Sequence, residues 1–209
     1  MFKKAFNRTK DELKDLPLVD ESGEKVRVRE KRLEDIENEY FWRTDQELSR
    51  LDATRPISMS YEDFFRYSRE EMRFASYRSK RLALETLDGI HIGNVMYYDF
   101  NPQKKETEIG IMIGHKDYWG KGYGADALQV ILKYLFQTLE LNRVYLHTLS
   151  WNYRAQSAFA KVGFKEVRPV KRGGVWKPRT RPGTFEGNGE KALKWIKKNK
   201  KRIEYKICS

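Results

Sequence analysis

The stretch Tyr118-Trp119-Gly120-Lys121-Gly122-Tyr123-Gly124 decides the fold. Its three glycines alternate with other residues between an apolar run at Ile109–Gly114 and an apolar-periodic run at Ala125–Phe136, which predicts a strand, a glycine loop and a helix. Glycine lets a backbone approach a ligand closely, and the N–H groups at a helix N-terminus attract anions. The order of these segments therefore predicts a phosphate-binding loop.

Two familiar phosphate motifs do not fit this loop. Its spacing lacks the last step of the dinucleotide fingerprint Gly-x-Gly-x-x-Gly. Ala125-Asp126 stands where a P-loop needs Lys followed by Ser or Thr. The loop thus indicates neither a nicotinamide enzyme nor an NTPase, and a tight turn without a ligand is the alternative that the loop alone leaves open.

The chain after the loop adds a strand, a helix and another strand. Arg143–Leu149 is rich in β-branched and aromatic residues, which predicts a buried strand. After Asn152, apolar residues at helical spacing predict a helix that Gly163 ends, and Phe164 begins the next strand.

The first half of the chain predicts a strand, two helices and three antiparallel strands. Ser60, followed by two acidic residues, indicates the start of the second helix, and Asp88-Gly89 indicates a hairpin turn. In chain order the predicted segments are a strand from Lys25, helices at Leu33–Asp45 and Tyr61–Met72, and strands at Arg81–Leu87, His91–Phe100 and Glu106–Gly114.

Taken together, these segments resemble a known family. Glu108–Gly114, the glycine loop and Asn152–Phe164, in this order and at these spacings, look like the GNAT N-acetyltransferases, with the strongest likeness to the RimJ- and RimL-like branch that modifies ribosomal-protein N-termini. The likeness runs from about Val26 to Lys177. It implies an α/β fold with a mixed, mostly antiparallel central sheet, splayed at an acyl-CoA cleft and covered by helices on both faces.

The resemblance also implies acetyl-CoA as co-substrate. In the family the pantetheine arm pairs with the strand edge at Ile111–Ile113, and loop N–H groups bind the pyrophosphate. Trp119 stands where the family usually has Gln or Arg, and Lys121 either adds a charge or faces solvent. Asn152 matches the family asparagine near the thioester, is a helix N-cap, or is both. The predicted cofactor-binding residues are Ile111, Met112, Ile113, Trp119, Gly120, Lys121, Gly122, Tyr123, Gly124 and Asn152.

The implied chemistry is attack of an amine on a thioester, and the amine must be neutral to attack. Glu108 is the predicted catalytic base or amine-orienting group; Glu106 lies on the same strand face and is the second candidate. The alternative for Glu108 is an outward ion pair with a lysine. For the departing thiolate, Ala155 and Phe159 replace the Ser and Tyr that some family members use as general acid.

Composition agrees with an enzyme in the cytoplasm. The chain has 209 residues, 39% of them hydrophobic, and a mean hydropathy of −0.80. It shows neither a signal peptide nor a membrane-spanning run. With one cysteine and three scattered histidines, no metal site is expected. His147, inside a predicted strand, is interpreted as a core or wall residue.

The predicted organisation is an N-terminal leader at 1–24, an acetyltransferase domain at 25–177 and a basic C-terminal extension at 178–209. The net charge is +12, much of it in the extension. The implied acceptor is a primary amine, either a peptide N-terminus or a small molecule, and the protein is expected to be a monomer or homodimer. Two other functions stay open: a non-catalytic acyl-CoA-binding module, and a basic protein that contacts the ribosome or RNA through its tail.

Overall fold

An eight-stranded mixed sheet organises the protein. The computed structural model describes residues 18–73, 78–166, 169–172, 175–178 and 202–208. The strands are β1 Asp20–Ser22, β2 Val26–Glu30, β3 Lys80–Thr86, β4 His91–Asn101, β5 Glu106–Ile113, β6 Arg143–Leu149, β7 Lys165–Glu166, β8 Pro169–Arg172, β9 Val175–Pro178 and β10 Arg202–Cys208.

The sheet has the order β1-β2-β3-β4-β5-β6-β10-β7, and β8 and β9 form a separate hairpin. The pairs from β1 to β5 are antiparallel, whereas β6 runs parallel to both β5 and β10. The predicted mixed and mostly antiparallel sheet is therefore confirmed. Its helices are α1 Asp35–Thr44, α2 Gln46–Leu51, α3 Tyr61–Arg73, α4 Tyr123–Gln137 and α5 Tyr153–Val162, with a 3₁₀ turn at Lys116–Tyr118.

The core lies between the sheet and α4, because α4 carries leucine and isoleucine at helical spacing. Leu128, Ile131 and Leu135 are fully buried, as are Val28 and Ile109 on the strands beneath them. The helix is therefore fixed against the centre of the sheet, with its N-terminus held at the end of β5. None of the helices in the described ranges is long and apolar enough to cross a bilayer.

The helix predicted at Leu33–Asp45 is confirmed as α1, and a second helix, α2, follows it directly. The Asp45 carboxylate accepts a hydrogen bond from the Leu48 N–H at 2.9 Å, so Asp45 ends α1 and caps α2. The sequence prediction missed α2 because it assigned Asp45 to the end of the first helix. The other helices and the strands from β3 to β6 lie within a few residues of their predicted positions.

Both ends of the described chain join the sheet. Asp20–Ser22, placed in the predicted leader, pairs antiparallel with β2. Arg202–Cys208, placed in the predicted extension, lies between β6 and β7 and is parallel to both. The strand predicted to begin at Phe164 is confirmed at Lys165–Glu166, and it pairs with β10. The domain boundaries at 24/25 and 177/178 stay predictions.

Candidate functional site

Strands β5 and β6 pair only at their first three residues. Their register ends at Glu108 opposite Tyr145. Beyond that point β5 continues to pair with β4 as far as Ile113 opposite Gly93, whereas β6 continues with β10 as far as Leu149. The two central strands therefore diverge and leave the edge of β5 open along Ile109–Ile113.

A cavity of about 350 Å³ occupies the region beside this divergence. Its walls come from the end of β5, the glycine loop with the start of α4, one side of α5 and the last turn of α2. Nine of the ten predicted cofactor-binding residues line it: Ile111, Met112, Ile113, Trp119, Gly120, Gly122, Tyr123, Gly124 and Asn152. The tenth, Lys121, is exposed on the same loop.

The glycine loop takes a backbone shape that favours glycine. Gly120 and Gly122 have φ of +71° and +90°, in the left-handed region. Gly122 is the N-cap of α4 and has no side chain to offer, so no side-chain cap bond is present. The first helical bond runs from Asp126 N–H to the Gly122 carbonyl. The N–H groups of Tyr123, Gly124 and Ala125 thus lack an intrahelical acceptor at the cavity wall.

Asp126 would repel an anion if its carboxylate faced this helix end. It instead accepts hydrogen bonds from the backbone N–H groups of Glu24, Lys25 and Val26, at 3.1, 2.8 and 3.0 Å respectively. Gly23 makes this possible, since a Cβ there would lie 2.4 Å from the carboxylate. The carboxylate of the first turn is therefore held by hydrogen bonds from the chain entering β2.

Trp119 connects the loop to the strand before it. Its indole Nε1 donates to the Ile113 carbonyl at 2.6 Å, and the guanidinium of Arg154 lies 3.5 Å from the ring centroid. The tryptophan that departs from the family pattern thus contacts β5 and α5 together. Arg154 also lines the cavity, and burial lowers its pKa while the charge of Glu47 opposes that shift.

Asn152 is the N-cap of α5, as one of the two sequence interpretations expected. Its side-chain oxygen accepts from the Ala155 N–H at 3.2 Å. Its amide nitrogen donates to the Leu51 carbonyl at 3.4 Å. Asn152 is buried at the cavity wall, so it joins the start of α5 to the end of α2.

Glu108 is the last residue of β5 that pairs with β6 and is 8% exposed. Its Oε1 accepts a hydrogen bond from the Tyr98 hydroxyl at 2.8 Å and lies 2.5 Å from Nδ1 of His147. Glu106, the second candidate base, is instead bound to Arg143 at 2.8 Å. The interpretation of His147 as a wall residue missed this contact, because β6 and β5 are far apart in sequence.

The last turn of α2 and the residue that follows it form one wall of the cavity. Leu48, Leu51 and Asp52 line it. Burial raises the pKa of the Asp52 carboxyl, against the charges of Arg43 and Arg81, although the side chain still reaches solvent. Arg43 lies 3.0 Å from Asp52.

Trp42 on α1 is 8% exposed and packs on Gly114 and on the ring of His91. A Cβ on Gly114 would lie 2.0 Å from the Trp42 ring, so Gly114 makes room for it. Trp42 is therefore a buried support for the end of β5.

Ala155 and Phe159, which replace the Ser and Tyr that some family members use as general acid, both line the cavity. Neither side chain carries a hydroxyl. Among the lining residues that the structure describes, hydroxyls are supplied by Tyr118, Tyr123 and Ser157. No group of three or more metal-ligating side chains occurs among the described residues.

Comparisons with known proteins agree with this geometry. The model of an acetyltransferase (GNAT) domain family matches residues 25–165. YdaF of Bacillus subtilis, provisionally named a ribosomal N-acetyltransferase, is 30% identical over 79 residues, which cover 38% of this chain and 43% of YdaF. The chain spans less than half the length of the curated relatives that it matches.

Solved structures show the same fold. The spermidine N-acetyltransferase of Vibrio cholerae in complex with CoA and spermine has a TM-score of 0.62 and 20% identity, covering 69% of this chain and 83% of that one. Mycobacterium smegmatis RimJ in complex with CoA-disulfide has a TM-score of 0.56 and 21% identity, covering 73% and 78%.

Proposed function

The chain belongs to the GNAT acetyltransferase family, and we propose that it transfers an acetyl group from acetyl-CoA to a primary amine by direct attack in a ternary complex. The observation that carries this proposal is the divergence of β5 and β6 after Glu108 and Tyr145, beside a cavity that the glycine loop lines. The fold alone would not name an activity.

The residues around the cavity suit coenzyme A. The N–H groups of Tyr123, Gly124 and Ala125, together with the dipole of α4, favour a diphosphate at the glycine loop. The open edge of β5 suits the amides of a pantetheine arm, which would add to the sheet as a strand does. We therefore assign the ten predicted cofactor-binding residues to acetyl-CoA, with Lys121 contributing charge from outside the lining.

The acceptor would enter from the side of α2, opposite the glycine loop. Asp52 lies on that wall, so a carboxylate faces the route of a cationic amine. Glu108 stands where the strands part, outside the cavity lining. Peptide N-termini and small amines both carry this charge at neutral pH. The likeness to YdaF favours a peptide N-terminus, and the likeness to the spermidine enzyme favours a polyamine.

A thiol-release assay with acetyl-CoA and a panel of amines tests the proposal. The panel would contain N-terminal peptides, polyamines and amino sugars, and calorimetry would measure CoA affinity in parallel. Thiol release with at least one amine is the expected result. CoA binding with no release on any amine would instead identify a non-catalytic acyl-CoA module, which the hydroxyl-free Ala155 and Phe159 favour.

A further inference from the structure

The contact between His147 and Glu108 fixes where the imidazole proton lies. An ionised carboxylate has only acceptor atoms. Since Nδ1 of His147 lies 2.5 Å from Glu108 Oε1, a carboxylate at Glu108 assigns the donated proton to Nδ1. In the neutral imidazole the lone pair is then on Nε2, as in a base whose tautomer is set by a neighbouring carboxylate.

The same contact limits what Glu108 itself can do. Its Oε1 accepts from His147 and also from the hydroxyl of Tyr98 at 2.8 Å. Burial and the hydrogen bond to Glu108 raise the pKa of Tyr98, so that its phenol stays protonated and continues to donate. Only 11% of the Glu108 side chain is exposed, whereas 37% of the His147 side chain is exposed. Of the two, the imidazole is the one that an incoming molecule can reach.

His147 stands at the mouth of the divergence. It lies two residues beyond Tyr145, the last residue of β6 that pairs with β5, and on the same face of the strand. On β5 the corresponding step beyond Glu108 is Gly110, where a Cβ would lie 3.4 Å from the Met96 side chain and 3.6 Å from the Tyr98 ring. Gly110 therefore adds no side chain to the face of β5 that carries Glu108.

We propose that Nε2 of His147 takes the proton from the acceptor amine, and that Glu108 is a positioning residue that acts through His147. This rests on the proposed acetyl transfer. It extends the sequence interpretation, in which Glu108 was the base or the amine-orienting group and His147 had no chemical role.

The step balances without a further reagent. The ammonium form of the acceptor gives one proton to Nε2, and the neutral nitrogen attacks the thioester carbonyl. The N–C bond forms, the C–S bond breaks, and CoA leaves as a thiolate with the electron pair. The second nitrogen proton reaches the thiolate through solvent, which suffices because a thiol has a pKa of about 8.5. His147 then returns its proton to water.

Kinetics of four variants test this assignment, with CoA affinity measured for each. His147→Ala is expected to lower kcat/KM by about 100-fold or more, the usual contribution of a general base, with unchanged CoA affinity. Glu108→Gln keeps an acceptor for Nδ1 but loses the charge, and is expected to lower kcat by about tenfold with little change in KM. Tyr98→Phe is expected to have a smaller effect than either.

Glu106→Gln is the matched control, because this carboxylate lies on the same face of β5 and is bound to Arg143. Its activity should stay within about threefold of that of the parent protein. A His147→Ala variant that kept activity within the same range would overturn the assignment of the base.

Nitrogen NMR of the three histidines supplies a readout that does not need turnover. The His147 signal, assigned by its loss in His147→Ala, should show the Nδ1–H tautomer in the parent and in Glu108→Gln, and should lose it in Glu108→Ala. An Nε2–H tautomer in the parent would overturn the proposal. If the parent protein bound CoA but acetylated no amine, the proposed acetyl transfer would be wrong. The tautomer of His147 would still show by itself whether Nδ1 donates to Glu108.

Discussion

The indole Nε1 of Trp119 lies 2.6 Å from the carbonyl oxygen of Ile113, so the first turn of the glycine loop is tied to the last residue of β5. The same indole ring stacks against the guanidinium of Arg154 from α5. One side chain thus sets the distance between the open strand edge and the free N–H groups of α4. That distance decides whether one ligand can reach both.

The first prediction concerns this indole. Trp119→Phe keeps a ring for Arg154 but removes the N–H and leaves the Ile113 carbonyl without this donor. Since a hydrogen bond contributes about 1 kcal/mol net, CoA should bind about fivefold more weakly. Calorimetric titration with CoA measures the change.

Trp151→Phe is the control for this prediction, because Trp151 is an exposed tryptophan that also stacks on an arginine, Arg50 at 4.8 Å. It should bind CoA as the parent does. Equal loss in both variants would mean that the Trp119 hydrogen bond has no specific role.

The second prediction concerns Gly122. Its φ of +90° costs an L-residue roughly 1–2 kcal/mol, and a Cβ would stand at the N-terminus of α4. Gly122→Ala should therefore lower both the free energy of unfolding and the CoA affinity. Urea unfolding and calorimetry measure the two.

Gly89→Ala is the control that separates backbone strain from an effect on the site. Gly89 has a φ of +88° in the hairpin turn between β3 and β4, and a Cβ added there would have no atom within 4 Å. Its cost in stability should match that of Gly122→Ala, with CoA affinity unchanged. Weaker CoA binding in Gly89→Ala would argue against a local role of the loop.

The third prediction concerns a buried ion cluster under α1. Asp35 is bound by both terminal nitrogens of Arg29 at 2.7 and 2.8 Å, and Arg29 also contacts Glu85. Burial raises the pKa of Asp35, but Arg29, the Arg32 N–H and the charge of His91 outweigh it, so the net shift is downward. Asp35→Asn should lower the free energy of unfolding by about 3 kcal/mol at neutral pH.

The pH dependence of this effect follows from the sign of the shift. A carboxyl with a lowered pKa in the folded state stabilises the protein above its unfolded pKa, about 3.9, and loses that effect as pH falls through the folded value. The gap between the parent and Asp35→Asn should therefore shrink below about pH 4. Asp20→Asn, which removes an exposed partner of Arg27, should change little at any pH. A gap that widened in acid would contradict this account.

Local patterns predicted the elements of this fold well. The turn at Asp88-Gly89, the cap at Ser60 and the end of α5 at Gly163 depend on neighbours in sequence, and each is present. The glycine loop was found for the same reason, because its shape follows from Gly120 and Gly122 themselves.

Contacts between distant segments were not accessible to the same reasoning. His147 pairs with Glu108 only because β5 and β6 lie side by side for three residues, and no local pattern encodes that register. The insertion of β10 beside β6 has the same origin, since the strand pattern at Ile203–Ile207 does not name the strand with which it pairs. Only α2 had an unused local signal, the cap at Asp45.

The fourth prediction concerns β10, which pairs with β6 from Arg202 opposite Arg143 to Cys208 opposite Leu149. Glu204 also reaches Arg143, at 2.8 Å, so the strand is joined by a buried ion pair as well. A chain ending at residue 201 would leave the edge of β6 unpaired, and such edges aggregate. It should unfold at much lower urea concentration and elute as aggregates on size exclusion.

Glu204→Gln in the full chain keeps the strand and should cost only about 1–2 kcal/mol. A truncated chain with the parent's unfolding midpoint would show that β10 adds nothing to the fold.

The place of β10 in the sheet also decides how contact with RNA or the ribosome must be tested. Deleting the end of the chain would remove a strand of the sheet together with the basic charge. Neutralising substitutions at the six lysines within 191–201 leave β10 in place, and loss of salt-sensitive RNA binding in that variant, with unchanged stability, would then report the charge alone.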